Sequence, residues 1–163
     1  MSAVSRPAAS FAFSRPAHVI AFGFGAGLAP RAPGTAGTLA AWAVGSLALL
    51  YVPPLLLLAA AGLLFLLGIW ACGVTGRALG VPDHGAMVWD EIVAFLAVLA
   101  FVPREPAWQA VAFALFRAFD IVKPPPIRAF ERRWHGGFGV MFDDALAAAY
   151  TLLALALVKR VLA

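Results

Sequence analysis

Leu55–Cys72 (LLLLAAAGLLFLLGIWAC) runs for eighteen residues without a charge. A chain holding such a run must bury it in a bilayer or inside its own fold. In lipid every backbone polar group needs a partner within the chain, so the run is read as a helix. Four further apolar runs accompany it: Thr38–Val52, Ile92–Val102 (extended back to Val88 through Asp90 and Glu91), Ala107–Phe119 and Ala145–Val158. Pro53-Pro54 and Pro103–Pro106 break the series sharply, because proline cannot donate to a helix ladder. A span needs about 20 apolar residues, and only Leu55–Cys72 approaches that unaided. The shorter runs must borrow flanking residues or thin the bilayer. The expected fold is all-α, a compact membrane-seated bundle of about five apolar helices. A very apolar soluble bundle is the alternative.

Composition agrees. Hydrophobic residues make up 63% of the 163 positions and charged residues only 12%, against about 25% charged in soluble domains. That excludes a disordered chain and argues against an ordinary cytosolic enzyme, and the length leaves room for one domain. The single cysteine, Cys72, excludes an intrachain disulfide and a cysteine-cluster metal site. Pro7 and Pro16 interrupt the first twenty residues, so no cleavable signal peptide is expected. Residues 1–17 read as a flexible basic lead-in and 18–163 as one helical membrane domain.

The net charge of +4 would suggest nucleic acid in a soluble protein. In a chain this apolar it points instead to anionic headgroups and to orientation in the membrane. If all five runs cross, the N-terminal segment and the two long polar segments, 72–89 and 120–144, share one face. That face collects Arg6, Arg15, Arg31, Arg77, Arg117, Lys123, Arg128, Arg132 and Arg133, and every acid except Glu105. The other face keeps Arg104, Lys159 and Arg160. The bias predicts that the charge-rich face is cytoplasmic.

Three segments carry the candidate chemistry. Phe22–Thr38 (FGFGAGLAPRAPGTAGT) is glycine-rich, offers Arg31, Thr35 and Thr38 as donors, and leads into a helix whose N-terminus favours an anion. It is neither a Walker A loop nor a dinucleotide fingerprint, and a plain glycine- and proline-rich connector fits it equally well. Val81–Glu91 (VPDHGAMVWDE) brings Asp83, His84, Asp90 and Glu91 together. Acids at a helix start complement its dipole, but acids beside an apolar run in a membrane are functional candidates by default. Phe116–Asp144 holds Arg117 and Asp120 at a pairing spacing, then Lys123, three prolines, Arg128, Arg132, Arg133, Trp134, His135 and Asp143-Asp144. Alone, it reads as a basic interfacial loop before a helix opened by two acids.

Taken together the segments describe one site. Asp90, Glu91, Asp120, Asp143 and Asp144 suit a hard cation such as Mg2+. The arginines and Lys123 suit a phosphate. Metal, phosphate and membrane combine as phosphoryl chemistry on a lipid. Cys72 and Arg77 are one residue too close for a cysteine-phosphatase loop, and no D-x-D pair or CDP-alcohol phosphotransferase signature occurs. The competing class is a small transporter or structural membrane protein, which predicts acids spread through the spans at different depths.

At 22–42, 80–93 and 116–144 the sequence resembles the phosphatidylglycerophosphatase A family, and the likeness extends over about residues 18–160. The resemblance implies a Mg2+-dependent phosphomonoesterase of the bacterial inner membrane that converts phosphatidylglycerophosphate and water to phosphatidylglycerol and phosphate. It also implies a multihelical fold similar to the YutG-like one. On chemical grounds, Asp90, Glu91, Asp143 and Asp144 are expected to ligate the metal, with Asp120 a further ligand or a base. Lys123, Arg128 and Arg117, completed by Arg31, Thr35 and Thr38, are expected to neutralise the phosphoryl group. His84 or His135 is the expected proton donor to the leaving oxygen. Arg132, Arg133 and Trp134 are expected to hold the loop against anionic headgroups.

Overall fold

The computed structural model describes residues 7–162. Arg6 and the side chain of Arg132, both assigned above to the basic face, lie outside the described residues. The described chain is helical, without strands: α1 (Ala9–Ala12), α2 (Pro16–Ala21), a 3-10 segment (Gly23–Leu28), α3 (Pro33–Ala48), α4 (Pro54–Leu79), α5 (Trp89–Leu99), α6 (Pro106–Val122), α7 (Ile127–Arg133) and α8 (Gly136–Leu162). Proline opens α3, α4 and α6, where its missing N–H has no helical partner to lose. Gly80, at φ 68°, closes α4 in the left-handed conformation. Lys123 closes α6 at φ 45°, ahead of three prolines that cannot continue the helix.

α5 is the axis of the bundle and packs on α3, α4, α6 and α8. Trp89, Val93, Ala94, Phe95, Leu96, Val98 and Leu99 are all buried, as an apolar surface all round requires. At 11 residues and about 1.5 Å per residue, α5 is about half as long as a bilayer core is thick. α3 and α6 are also too short to cross unaided. Two helices, α4 and residues 136–161 of α8, are long and apolar enough to span a membrane. Only 28% of the apolar window of α4 is buried, and Leu63, Leu66, Leu67 and Trp70 face outward. That is unlike the core helix of a soluble protein and leaves an apolar patch that lipid would cover.

Two helices are longer than the apolar runs predict. α4 continues past Cys72 to Leu79, and α8 begins at Gly136 rather than near Asp143. The 72–89 and 120–144 segments are therefore only partly loop. Small residues explain both extensions, since α4 and α8 pack together there. A Cβ on Gly137 would lie 1.8 Å from the Ile69 carbonyl oxygen. The glycines of 135–139 thus serve helix contact as well as a turn. Gly137→Ala is expected to lower the melting temperature by about 5–10 °C through overpacking of about 2–3 kcal/mol, measured on the purified protein in detergent.

Where the sequence suggests a flexible lead-in, Ala9–Ala12 and Pro16–Ala21 are helical, and Ala12, Ala17 and His18 are buried. α2 packs on the far end of α4, where Thr75 Oγ donates to the Ala17 carbonyl at 3.4 Å. Across the bundle, Trp42 Nε1 and Ser46 Oγ both donate to the buried Gln109 Oε1, at 2.8 and 2.9 Å, and tie α3 to α6. Chain direction puts the starts of α3, α5 and α8 and the ends of α4 and α6 together. The candidate chemistry gathers at that end.

Candidate active site

Asp90 and Glu91 occupy the first turn of α5, and Asp144 lies in the third turn of α8. Each offers a carboxylate oxygen within 4.8 Å of the other two. Asp90 and Asp144 are almost fully enclosed, at 7% and 2% exposure. Asp90 Oδ1, Glu91 Oε2 and Asp144 Oδ2 are buried and have no hydrogen-bond partner. Buried polar atoms are nearly always paired, so unpartnered oxygens on three neighbouring carboxylates mark a group that could hold a metal ion. An all-oxygen donor set is what Mg2+ prefers. The residues therefore fit the metal that the sequence suggests, and their mutual repulsion is the physical reason to hold one.

Arg117 on α6 borders the cluster. Its guanidinium donates to Asp120 Oδ2 at 2.7 Å and lies 3.5 Å from Glu91 Oε1. Its Nη1 also reaches Thr38 Oγ at 3.5 Å, while that hydroxyl donates to the Gly34 carbonyl at 2.9 Å. On the opposite side, Lys123 pairs with Asp143 Oδ2, and Asp143 Oδ1 accepts the Asp144 N–H at 3.1 Å. Lys123 holds this position with φ 45°, an uncommon value for a side-chain-bearing residue. Backbone strain of this kind is often kept where a site needs a side chain in one place.

The structure brings together Asp90, Glu91, Asp144, Asp120, Arg117, Lys123 and Asp143. It places the other sequence candidates around them. Asp143 stands beside the three-carboxylate cluster, engaged by Lys123. Asp143 and Asp144 sit about two turns inside α8 rather than opening it. Thr38 is buried behind Arg117, and Thr35 is half-buried in the first turn of α3. Arg128 is exposed and donates to the Val122 carbonyl at 2.9 Å, at the end of α6. Arg31 lines a cleft of about 580 Å³ with Asp83 and His84. His84 is buried there, and its Nδ1 accepts the Ala86 N–H at 3.1 Å, which leaves the ring proton on Nε2. His135 is exposed in a small hollow shared with Asp83 and Asp143.

Gly34 is a site residue that the pattern of glycines hides. A Cβ there would lie 2.0 Å from Glu91 Oε1 and 3.0 Å from Arg117 Nη2. The glycine-rich segment thus admits protein side chains at this point rather than a ligand. Gly34→Ala is expected to cut phosphate release about tenfold or more by displacing Glu91; colorimetric phosphate assays of the two proteins side by side check this. His18 lies outside the three polar segments, and its sequence surroundings give no sign of a site. It is buried with both ring nitrogens unpartnered, its ring tilted against Phe11 with centroids 4.4 Å apart. Burial, aided by Arg15, pushes its pKa below the ordinary value.

The phosphatidylglycerophosphatase A family model matches residues 19–159. The chain is 44% identical over 150 residues to the Haemophilus influenzae protein named phosphatidylglycerophosphatase A, covering 91% of this chain and 92% of that one. It is 41% identical over 135 residues to the Escherichia coli protein of the same name, covering 82% and 78%. A Bacteroides thetaiotaomicron protein provisionally named phosphatidylinositol-3-phosphatase is 41% identical over 152 residues, covering 88% and 94%. No solved structure matches the chain, and the expected likeness to the YutG-like fold is not confirmed. The carboxylate cluster, its flanking cations and the apolar bundle that carries them all lie within the matched residues, and the chain belongs to the phosphatidylglycerophosphatase A family.

Proposed function

We propose that this protein hydrolyses the terminal phosphomonoester of phosphatidylglycerophosphate to phosphatidylglycerol and phosphate. The observation that carries the reading is the set of three buried, unpartnered carboxylate oxygens on Asp90, Glu91 and Asp144, flanked by Arg117 and Lys123. Family membership supplies the substrate class. Asp90, Glu91 and Asp144 would hold Mg2+, with Asp120 and Asp143 alongside. When bound, Mg2+ would neutralise phosphoryl charge and acidify a water.

The protein's own groups supply the rest. Arg117, fixed by Asp120 and Thr38, presents a rigid guanidinium to the phosphoryl oxygens. Lys123 adds a second positive charge where negative charge spreads in a loose transition state. Asp120 would take the proton of the attacking water as its oxygen bonds to phosphorus. The bond from phosphorus to the glycerol oxygen breaks, and that oxygen takes a proton from His135, since His84 accepts the Ala86 N–H at Nδ1 and keeps only the weakly acidic Nε2 proton. Arg31 suits the headgroup's second phosphate in the neighbouring cleft.

The helix ends at the site carry Arg31, Arg77, Arg117, Lys123, Arg128 and Arg133, against Arg104, Lys159 and Arg160 at the opposite end. This asymmetry supports a cytoplasmic active face on a bacterial inner membrane. The acids at the site converge instead of spreading along the bundle, which disfavours a transport path.

The direct test is phosphate release from phosphatidylglycerophosphate by the full-length protein in mixed micelles. Release with Mg2+, falling at least about a hundredfold with a chelator and restored by added Mg2+, is the expected result. No release under either condition overturns the reading. Equal rates on phosphatidylinositol 3-phosphate would broaden the headgroup class, while a strong preference for the glycerophosphate would confine it.

A further inference from the structure

An apolar groove of about 440 Å³ opens between α4, α5 and α8, on the side of the bundle below the carboxylates. Its walls are Leu58, Gly62, Phe65, Ala94, Ala148 and Leu152, among others. Two of these fix its relation to the site. Ala94 lies four residues after Asp90, and Ala148 four after Asp144. In a helix that spacing puts each alanine one turn beneath its aspartate on the same face. The groove therefore begins one turn below the cluster and continues down the bundle. Leu152 also borders a second apolar hollow, of about 290 Å³, that ends near Lys159. From Ala145 to Lys159 the two hollows follow α8 for about 21 Å at 1.5 Å per residue, close to the length of an extended sixteen-carbon chain.

We infer that this groove holds one acyl chain of the phospholipid substrate while its phosphomonoester lies at the carboxylates. The inference rests on the lipid phosphatase reading of the site. The occupant follows from three features on the same surface. The top of the groove abuts a polar site suited to a phosphate headgroup. The walls are almost wholly apolar, with no group to bind a polar ligand. The small side chains of Ala94, Ala97, Ala145, Ala148 and Ala149, with Gly62, leave open a channel that larger side chains would have filled. Lipid tails are as apolar as the groove, so it gains little from hydrophobicity alone. Its contribution is orientation: a tail fixed between α4 and α8 holds the headgroup at a constant height against Asp90, Glu91 and Asp144.

Gly62 makes the inference testable. A Cβ there would meet no atom within 4 Å, so a larger side chain can project into open space without displacing helix or core. Leucine is also the better helix former. Gly62→Leu and Ala149→Leu are assayed on dipalmitoyl phosphatidylglycerophosphate and on a dibutanoyl analogue too short to reach down the groove. The expected result is a fall of about tenfold in kcat/KM for the long-chain lipid, with the short-chain rate within twofold of the parent. A mid-chain diazirine phospholipid should in addition label the parent on α4 or α8 at the groove and label Gly62→Leu several-fold less. Unchanged long-chain hydrolysis, or an equal fall for both substrates, overturns the groove assignment. Failure of the parent protein to hydrolyse either substrate would sink the phosphatase reading itself, and labelling would then report the groove independently.

Discussion

Asp144→Asn should release phosphate from phosphatidylglycerophosphate at least about a thousandfold more slowly than the parent, a loss of about 4 kcal/mol of transition-state stabilisation. Yet it should fold at least as well. Asp144 is buried against Asp90 and Glu91, and without a cation the ionised group would only repel them. An amide of the same shape removes that charge. Thermal melting separates the two effects. Without divalent ions the variant should melt at or above the parent temperature. With Mg2+ at about a hundred times its dissociation constant, the parent should gain about 2.7 kcal/mol and the variant far less. Activity that survives in Asp144→Asn, with an unchanged Mg2+ response, would remove Asp144 from the metal set. The same pair of measurements on Asp90→Asn locates the second ligand.

Arg117→Ala should be the most destabilising single change at this end of the bundle. It leaves Glu91 and Asp120, each 12% exposed at the side chain, as buried acids without their cation. Breaking a buried pair from one side costs about 3–5 kcal/mol. Loss of a guanidinium facing the phosphoryl group should lower kcat as well. Arg117→Lys keeps the charge but not the fork. One ammonium can take over the contacts that Nη1 makes to Asp120, Glu91 and Thr38 but lacks the planar fork that pairs two nitrogens with phosphoryl oxygens, so it should retain most of the stability and lose much of the activity. Urea or thermal unfolding read beside kcat decides between the roles. Equal recovery of stability and rate in the lysine variant would make Arg117 a structural tie alone.

These outcomes differ in how far the sequence foresees them. The acids could be chosen from sequence because charge is scarce. With 12% of residues charged, a buried-looking Asp90-Glu91 and Asp143-Asp144 stand out against apolar runs. The cationic partners were legible for the same reason. Geometry sorted them. Lys123 and Asp143 are twenty residues apart, and their pairing depends on α6 ending in a left-handed residue beside α8. Thr38 and Arg128 offer the same donors as Arg117 on paper, yet one is spent on the Gly34 carbonyl and the other on Val122. Glycines at 136, 137 and 139 suggest a turn, yet they lie inside α8, where the neighbouring Ile69 carbonyl leaves no room for a Cβ at 137.

The sequence by itself determined an all-helical apolar bundle, because runs such as Leu55–Cys72 have no other way to satisfy their backbone away from water. It also limited the candidate site residues to a few carboxylates and cations, since those are nearly the only charged side chains present. Tertiary structure decided which acids share a cluster, which arginine faces them, and that an alanine-lined groove starts beneath. Those are distances between helices far apart in the chain. They are set by where glycine and alanine let helices approach, a property that local pattern does not encode.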